Sequence, residues 1–419
     1  MWNHVDLTPE TDHQNEEAAE SPLDLCPHFG ECGGCKSQDV PYVEQCAGKE
    51  QWLGELFADY WSEPIRVTPS PVTWYYRNKV DLTFGRKFYE EPPPKDFERE
   101  TVLGFKRKGR WFWPLEILEC RIASPVLANL LAGVREFVGE HGLKAFNSRR
   151  GEGFLKILLV REGKRTGQRM VVLITHDGEF DQQAFVNAVL NVYPADSIYW
   201  GVHRKLSDVA EAEELHLLHG APHIEEALHV PTDQGERRLR FHISPMSFFQ
   251  TNTLATELLY GKIRLWTEPY GFTKLYDLYG GSGGIAFSCA DLVDEVESVE
   301  SVAAAGGDGR RNAELNGVSN VRFVTEKVEN YLRDKRDEGP AEAGEGVILD
   351  PPRAGLNPKA LRRLLQWRPQ RMLYVSCKPE ALAQELPAIL EHYRITSAEA
   401  VDLFPHTPHV ELLMGFEAT

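Results

Sequence analysis

A chain of 419 residues is too long for one ordinary core and calls for two domains. A hydrophobic share of 42%, a charged share of 26% and no apolar run near the roughly 20 residues of a membrane span describe a globular protein without a membrane partner. The formal net charge of -17 argues against a surface that binds nucleic acid all over, because phosphate neutralisation needs Lys and Arg in quantity.

In chain order, Met1-Trp2-Asn3-His4-Val5-Asp6 has neither a basic start nor an apolar core before a cleavage site, so a cytoplasmic location is expected. Residues 1–22 are polar and acidic and read as a disordered tail. The seven cysteines are an odd number, spread without a secretion signal, which excludes a disulfide framework. Cys26, Cys32 and Cys35, with Cys120 much later, offer four thiolates, a set suited to zinc or to an iron-sulfur cluster; spacing alone does not choose between them. Cys46 and Cys289 fall in helical contexts and read as core residues. Over 40–61 the spacing of Tyr42, Cys46, Trp52, Leu53, Leu56 and Phe57 predicts an amphipathic helix.

From 75 to about 230, strand-like runs such as Lys79-Val80-Asp81-Leu82-Thr83-Phe84 and Met170-Val171-Val172-Leu173-Ile174 alternate with Gly and charged turns, which predicts an α+β platform. Two stretches in it, Tyr75-Tyr76-Arg77-Asn78-Lys79 and Lys106-Arg107-Lys108-Gly109-Arg110-Trp111-Phe112-Trp113, interleave base with aromatics. That mixture suits phosphate contact and base stacking, so the average charge hides a basic face.

Beyond residue 244, short apolar strands alternate with helical stretches, which predicts an α/β domain with a doubly wound parallel sheet. The Gly- and Glu-rich interval 334–345 is expected to be a surface loop. Asp277-Leu278-Tyr279-Gly280-Gly281-Ser282-Gly283-Gly284 lies where a strand ends and a helix begins, and Glu300 ends the next predicted strand, where a carboxylate accepts hydrogen bonds from ribose. This turn alone does not separate NAD from S-adenosylmethionine, although it departs from the Gly-x-Gly-x-x-Gly dinucleotide pattern. Asp350-Pro351-Pro352-Arg353-Ala354-Gly355 follows a buried strand into the same crevice. The following strand ends at Cys377, and the charge of Lys378 is expected to favour its thiolate.

Five stretches carry a resemblance: Ser247-Phe248-Phe249-Gln250-Thr251-Asn252, Asp277-Leu278-Tyr279-Gly280, Asp350-Pro351-Pro352-Arg353-Ala354-Gly355, Val375-Ser376-Cys377-Lys378-Pro379 and Phe404-Pro405-His406-Thr407-Pro408-His409-Val410-Glu411. In this order they resemble the RNA uracil-C5 methyltransferases. The resemblance implies a Rossmann-like S-adenosylmethionine-dependent methyltransferase domain over 244–419. It also implies an α+β central domain over 23–243, part of it packing on the catalytic domain, that recognises RNA and carries an iron-sulfur cluster. It makes Cys377 the nucleophile and Glu411 the proton acceptor, with Gln250, Tyr279, Gly284, Glu300 and Asp350 at the donor or target base. It makes Cys26, Cys32, Cys35 and Cys120, near Gln38, ligands of a [4Fe-4S] cluster, and it favours 23S rRNA as substrate with tRNA possible. The small β-barrel RNA-binding domain of many relatives has no room before Cys26, so RNA contact is expected to fall on the platform.

Departures from the family stand at Gly280 for a cysteine, Gly284 for an Asn or similar polar residue, and Lys327 for an Asp or Asn near the adenine. The glycine-rich stretch 301–309 should weaken a helix by ~1 kcal/mol per glycine. His406 and His409 are expected to be polar surface or RNA-contact residues, not metal ligands. Two alternatives are an enzyme methylating an exocyclic base nitrogen, with Cys377 a bystander, and a non-catalytic iron-sulfur RNA-binding protein.

Overall fold

The computed structural model describes residues 25–94 and 97–419; the acidic stretch 1–22 lies outside them. Two sheets organise these residues, and one hairpin joins them. Helix α1 (Tyr42–Leu56) and the short strand β1 (Val67–Thr68) come first. They are followed by β2 (Lys79–Arg86), β3 (Thr101–Arg107), β4 (Arg110–Glu116), α2 (Leu127–Glu140), β5 (Leu155–Glu162), β6 (Arg169–Thr175), α3 (Gln182–Val192), β7 (Ser197–Val202) and β8 (Glu214–Gly220).

Strands β2 to β8 form one sheet in the order β4-β3-β2-β5-β6-β7-β8. Only β6 and β7 run parallel, and α3, N-capped by the Asp181 carboxylate, makes the crossover that a parallel pair requires. One face buries Leu82, Leu158 and Val171 against Leu130, Val134 and Phe137 of α2 and Phe185 of α3.

The hairpin of β9 (Ile224–Thr232) and β10 (Gly235–Ile243) pairs only with itself. Its Leu228, Leu239 and Phe241 share one core with Ile157, Met170 and Val172 of the first sheet and with Leu259, Ile263 and Phe287 beyond it. The two sheets are therefore coupled through continuous apolar packing and not through a wet interface.

After α4 (Thr253–Thr267) the chain alternates: β11 (Lys274–Leu278), α5 (Gly284–Cys289), β12 (Glu295–Glu300), α6 (Ala303–Asn316), β13 (Val321–Thr325), α7 (Val328–Glu338), β14 (Glu345–Leu349), α8 (Pro358–Trp367), β15 (Arg371–Ser376) and α9 (Pro379–Ile389). It closes with β16 (Tyr393–Val401) and β17 (Glu411–Ala418). The second sheet has the order β1-β16-β17-β15-β14-β11-β12-β13. Strands β11 to β15 are parallel and read as apolar runs, such as Val347-Ile348-Leu349, because helices cover both faces. Strand β17 inserts antiparallel between β15 and β16. The strand order reverses between β11 and β14, which fixes the crevice at their carboxyl ends as the ligand site of this architecture.

Two local expectations change. Interval 334–345 is not all loop, because its Lys, Arg and Glu residues extend α7 through Glu338. Helix α6 forms despite its glycines, and at Gly309 a Cβ would collide with the Phe323 ring, so glycine there allows close helix-strand packing. Among the described residues no helix is long and apolar enough to cross a membrane.

Candidate active site

The register of the second sheet assembles the crevice. Pairing of Leu278 with Leu349 sets Tyr279 beside Asp350, whose backbone N–H donates to the Leu278 carbonyl at 3.2 Å. Strand β17 begins where β15 ends: Ser376 pairs with Leu412, so Cys377 and Glu411 face each other across the antiparallel pair. Cys377 is half-buried, whereas Asp277 and Glu411 are 0% and 2% exposed.

Burial dominates the electrostatics. It pushes the Asp277 carboxyl up to about 7, against the hydrogen bond from the Ser298 hydroxyl to Oδ2 and the nearby Ala286 backbone N–H. It pushes Asp350 up to about 7 as well, with the Asp277 charge adding to the shift. Glu411 is held well above the usual carboxylate range by burial and then by Asp350, with Arg353 opposing. The Cys377 thiol is pushed up to about 11 by burial, Glu411 and Asp350, while Arg353 pulls it down by charge and by a hydrogen bond. Asp277 Oδ1 and Glu411 Oε2 have no hydrogen-bond partner among the described residues, and buried oxygens left this way mark places where a ligand group belongs. Burial thus favours the protonated forms of the thiol and of the carboxyl that faces it, and an arriving positive charge favours release of both protons.

Gln250, Tyr279, Gly284 and Asp350 line one cleft, together with Phe248, Tyr260 and Ile285. Glu300 stands outside that lining at the end of β12, where its Oε1 accepts from the Val302 N–H at 2.7 Å and so ties off the entry to α6. Tyr279 has φ +68°, a left-handed conformation that a bulky residue adopts only when its surroundings over-determine it. Glycine is required at 280 because a Cβ would meet the Ser298 hydroxyl and Asp277.

The loop 244–252 that carries Gln250 is held from both sides. Asn78 Nδ2 donates to the Gln250 carbonyl at 2.8 Å and to Thr253 Oγ1 at 3.0 Å. The buried Arg161 guanidinium donates to the carbonyls of Pro245 and Ser247, and the Asp308 carboxylate accepts from the hydroxyls of Ser244 and Ser247.

Cys26, Cys32, Cys35 and Cys120 also come together, around a separate cavity of about 300 Å³, roughly tenfold the volume of one water. The segment is docked on the β3–β4 hairpin: the Gly33 N–H donates to the Lys106 carbonyl at 3.0 Å, and Cys32 bridges Arg107. Gln38 Oε1 accepts from the Cys26 N–H at 2.9 Å. The N–H groups of Lys36 and Ser37 donate to the His406 carbonyl, joining this segment to the loop that leads to Glu411. Among the described residues no group of three or more His, Cys, Asp or Glu side chains is placed to hold a metal ion, so the expected cluster site is not shown by the geometry.

Some expected surface residues are structural. Tyr76 is 2% exposed and donates its hydroxyl to the Pro405 carbonyl, and Asn78 is the bolt described above, so of these neighbours Tyr75 is the aromatic that stays exposed. His406 is buried and stacked on Trp74 at 3.9 Å, not a surface residue, and burial pushes it down to about 4; His409 is exposed. Arg353 is the cation that acts most on the thiol, while Lys378 is exposed at the N-cap of α9. Arg353 was readable as part of the Asp350–Gly355 stretch, but its reach to Cys377 depends on the spacing of neighbouring strands. Tyr260 carried no sequence signal beyond its place on a helix.

A doubly wound sheet with a glycine turn at its switch point is the architecture of a nucleoside-binding enzyme. A profile of the tRNA (Uracil-5-)-methyltransferase family matches residues 202–416. An uncharacterized RNA methyltransferase of Clostridium tetani is 31% identical, with 97% of this chain and 88% of the relative covered. A tRNA (uracil(54)-C(5))-methyltransferase of Pyrococcus abyssi is 32% identical over 94% of this chain and 86% of its own length. The crystal structure of a Pyrococcus abyssi tRNA (uracil-54, C5)-methyltransferase in complex with S-adenosyl-L-homocysteine superposes with a TM-score of 0.71 at 30% identity, covering 95% of this chain and 87% of that one. The chain belongs to the RNA uracil-5-methyltransferase family and is an S-adenosylmethionine-dependent enzyme acting on uridine C5 in RNA.

Proposed function

We propose that methyl transfer proceeds through a covalent bond between Cys377 and uracil C6, with Glu411 as the base. The observation that carries this reading is the meeting of Cys377 and Glu411 at adjoining ends of β15 and β17, beside the donor cleft. Uracil C5 is a poor nucleophile, and addition of the Cys377 thiolate at C6 makes C5 the carbon end of an enolate. S-adenosylmethionine supplies the electrophilic methyl group. Glu411 then accepts the C5 proton, and the electron pair left behind expels the thiolate from C6. Gln250, Tyr279, Gly284 and Asp350 serve the donor or the target base, and Glu300 the donor ribose. The domain limits that fit these roles are 23–243 for RNA recognition and 244–419 for catalysis.

Cys26, Cys32, Cys35 and Cys120 are assigned to a [4Fe-4S] cluster. They surround a cavity with room for a multi-atom group, and four thiols are the number such a cluster takes. Its role is structural, since the methyl transfer needs no electron.

RNA is gripped by the platform. Arg99 lies over the rings of Tyr89 and Trp113 at 5.4 and 5.0 Å, and Arg110 over Phe88 at 4.4 Å. Arg86 is pulled down by burial and then by the charges of Arg99, Arg150 and Arg149, a local positive field in an acidic protein. The substrate favoured here is 23S rRNA, following the cluster-bearing relatives; tRNA is the second reading, favoured by the similarity to a Pyrococcus enzyme named for it. Mass spectrometry of rRNA and tRNA from a strain lacking the gene tests both: one 5-methyluridine should vanish from 23S rRNA. Loss from tRNA alone would replace the first substrate by the second, and loss from neither would overturn both.

A further inference from the structure

Tyr260 sits on α4 and is 7% exposed, yet its hydroxyl has no hydrogen-bond partner among the described residues. Tyr260 lines the donor cleft beside Gln250, Tyr279, Ser282, Gly284 and Asp350, and its hydroxyl lies against Gly284. A buried phenol ordinarily finds a partner, so a free hydroxyl directed into a ligand cleft points to a contact made by the ligand.

Its immediate neighbour is a position where this chain departs from its relatives. A Cβ at Gly284 would collide with the Tyr260 hydroxyl and stand 3.0 Å from the ring carbon that bears it. A side chain at 284 and this hydroxyl therefore compete for one volume. At this glycine the volume a side chain would take is filled by a polar group from another helix.

We propose that the Tyr260 hydroxyl is a donor-binding group that takes the side-chain volume left open at Gly284 and hydrogen-bonds the amino-acid end of S-adenosylmethionine; this rests on the proposed donor site. The orientation follows from the sheet. Glu300 at the end of β12 is the ribose side, whereas Asp350 and Cys377 follow β14 and β15, where the methyl group must face the base. The donor's remaining arm, its methionine part, lies over the turn between β11 and α5, next to Tyr260. The hydroxyl keeps its proton there, since burial and the charges of Asp350, Asp277 and Glu411 hold it well above the usual tyrosine range.

Calorimetry with two product-like ligands tests this, with the melting temperature of each variant as a check of folding. S-adenosylhomocysteine has the amino-acid end; methylthioadenosine lacks it. Tyr260→Phe should weaken S-adenosylhomocysteine by about tenfold, one hydrogen bond's worth, and leave methylthioadenosine within twofold. The exchange Tyr260→Leu with Gly284→Asn should recover most of the affinity that Tyr260→Leu loses. Unchanged S-adenosylhomocysteine binding by Tyr260→Phe, equal weakening of both ligands, or no recovery in the exchange variant would each overturn the proposal. So would failure of Tyr260→Phe to fold, because the hydroxyl would then belong to the structure. Failure of the unmodified protein to bind either ligand is a different result and would count against the donor itself.

Discussion

The cysteine cavity and the reaction crevice both hold thiols whose protons are hard to remove, and they do so with different surroundings. Burial pushes Cys35 up to about 12 and Cys120 up to about 11, with neighbouring thiols adding to the shift. It pushes Cys377 to about 11, but there the added push comes from carboxylates, and one guanidinium opposes it. The four thiols are gathered on loops around a common cavity, the arrangement on which the proposed cluster rests. The lone thiol at a strand end faces a carboxyl on the paired strand, an arrangement for one proton at a time. On the proposed reading the cavity supports the fold around it, and the crevice performs the reaction.

That contrast makes opposite predictions for one atom replaced in each region. Cys377→Ala should lower methyl transfer by ~10⁴-fold or more while leaving S-adenosylhomocysteine affinity and melting temperature unchanged, as measured with radiolabelled donor and by calorimetry. Full methylation by this variant would sink the covalent mechanism. Cys35→Ser should do the reverse: the protein loses iron and more than about 2 kcal/mol of stability, read from denaturant unfolding. Activity should then fall as a consequence, because the Lys36 and Ser37 N–H groups that hold the His406 loop are displaced. A Cys35→Ser protein with wild-type stability and iron content would erase the distinction.

Much of the crevice is legible in the sequence, and the reason is local. Asp350 and Cys377 each follow a short apolar run that reads as a buried strand of a parallel sheet, and Asp277 stands one residue before the end of another, so their end of the sheet follows from the chain alone. What cannot be read depends on pairing across long separations. Glu411 meets Cys377 through the register of an antiparallel strand inserted into a parallel sheet. Tyr76 and Asn78 look like a basic, aromatic surface until Pro405 and Gln250, far along the chain, bury them. Hairpin β9–β10 alternates as a half-exposed pair would, yet it forms the wedge between two sheets because both its neighbours bring apolar faces to it. Arg353 rather than Lys378 reaches the thiol because strand adjacency, not sequence adjacency, sets charge distance.

A smaller effect tests burial as the cause of the crevice shifts. Asp277 is raised from 3.8 to about 7, so the folded state holds its proton more tightly than the unfolded chain. Its cost to stability is absent below the unfolded pKa and grows as pH rises through the folded one. Asp277→Asn should therefore stabilise the free enzyme by up to roughly 4 kcal/mol at pH 8 and by less at pH 5, in denaturant titrations at both values. The gain should shrink in the presence of S-adenosylhomocysteine if Asp277 Oδ1 is a ligand contact. Equal stabilisation at the two pH values would mean that the carboxyl titrates normally and that its burial is not felt.

The smallest expected effect concerns Arg353, and it separates two cations that sequence proximity confuses. Arg353 lowers the Cys377 pKa, so its removal leaves less thiolate at a given pH. The side chain is exposed and its charge is partly screened by water, which limits the change. Alkylation of the Cys377 peptide by iodoacetamide at pH 8, followed by mass spectrometry, should slow by about three- to tenfold in Arg353→Gln, and its pH profile should move upward. Lys378→Gln should leave the rate unchanged. Slowing by Lys378→Gln instead would return the role to the residue next in sequence, and the crevice would then differ from the cysteine cavity by its carboxylates alone. Slowing by both would make the counter-charge a property of the whole strand end, shared between the loop after β14 and the cap of α9.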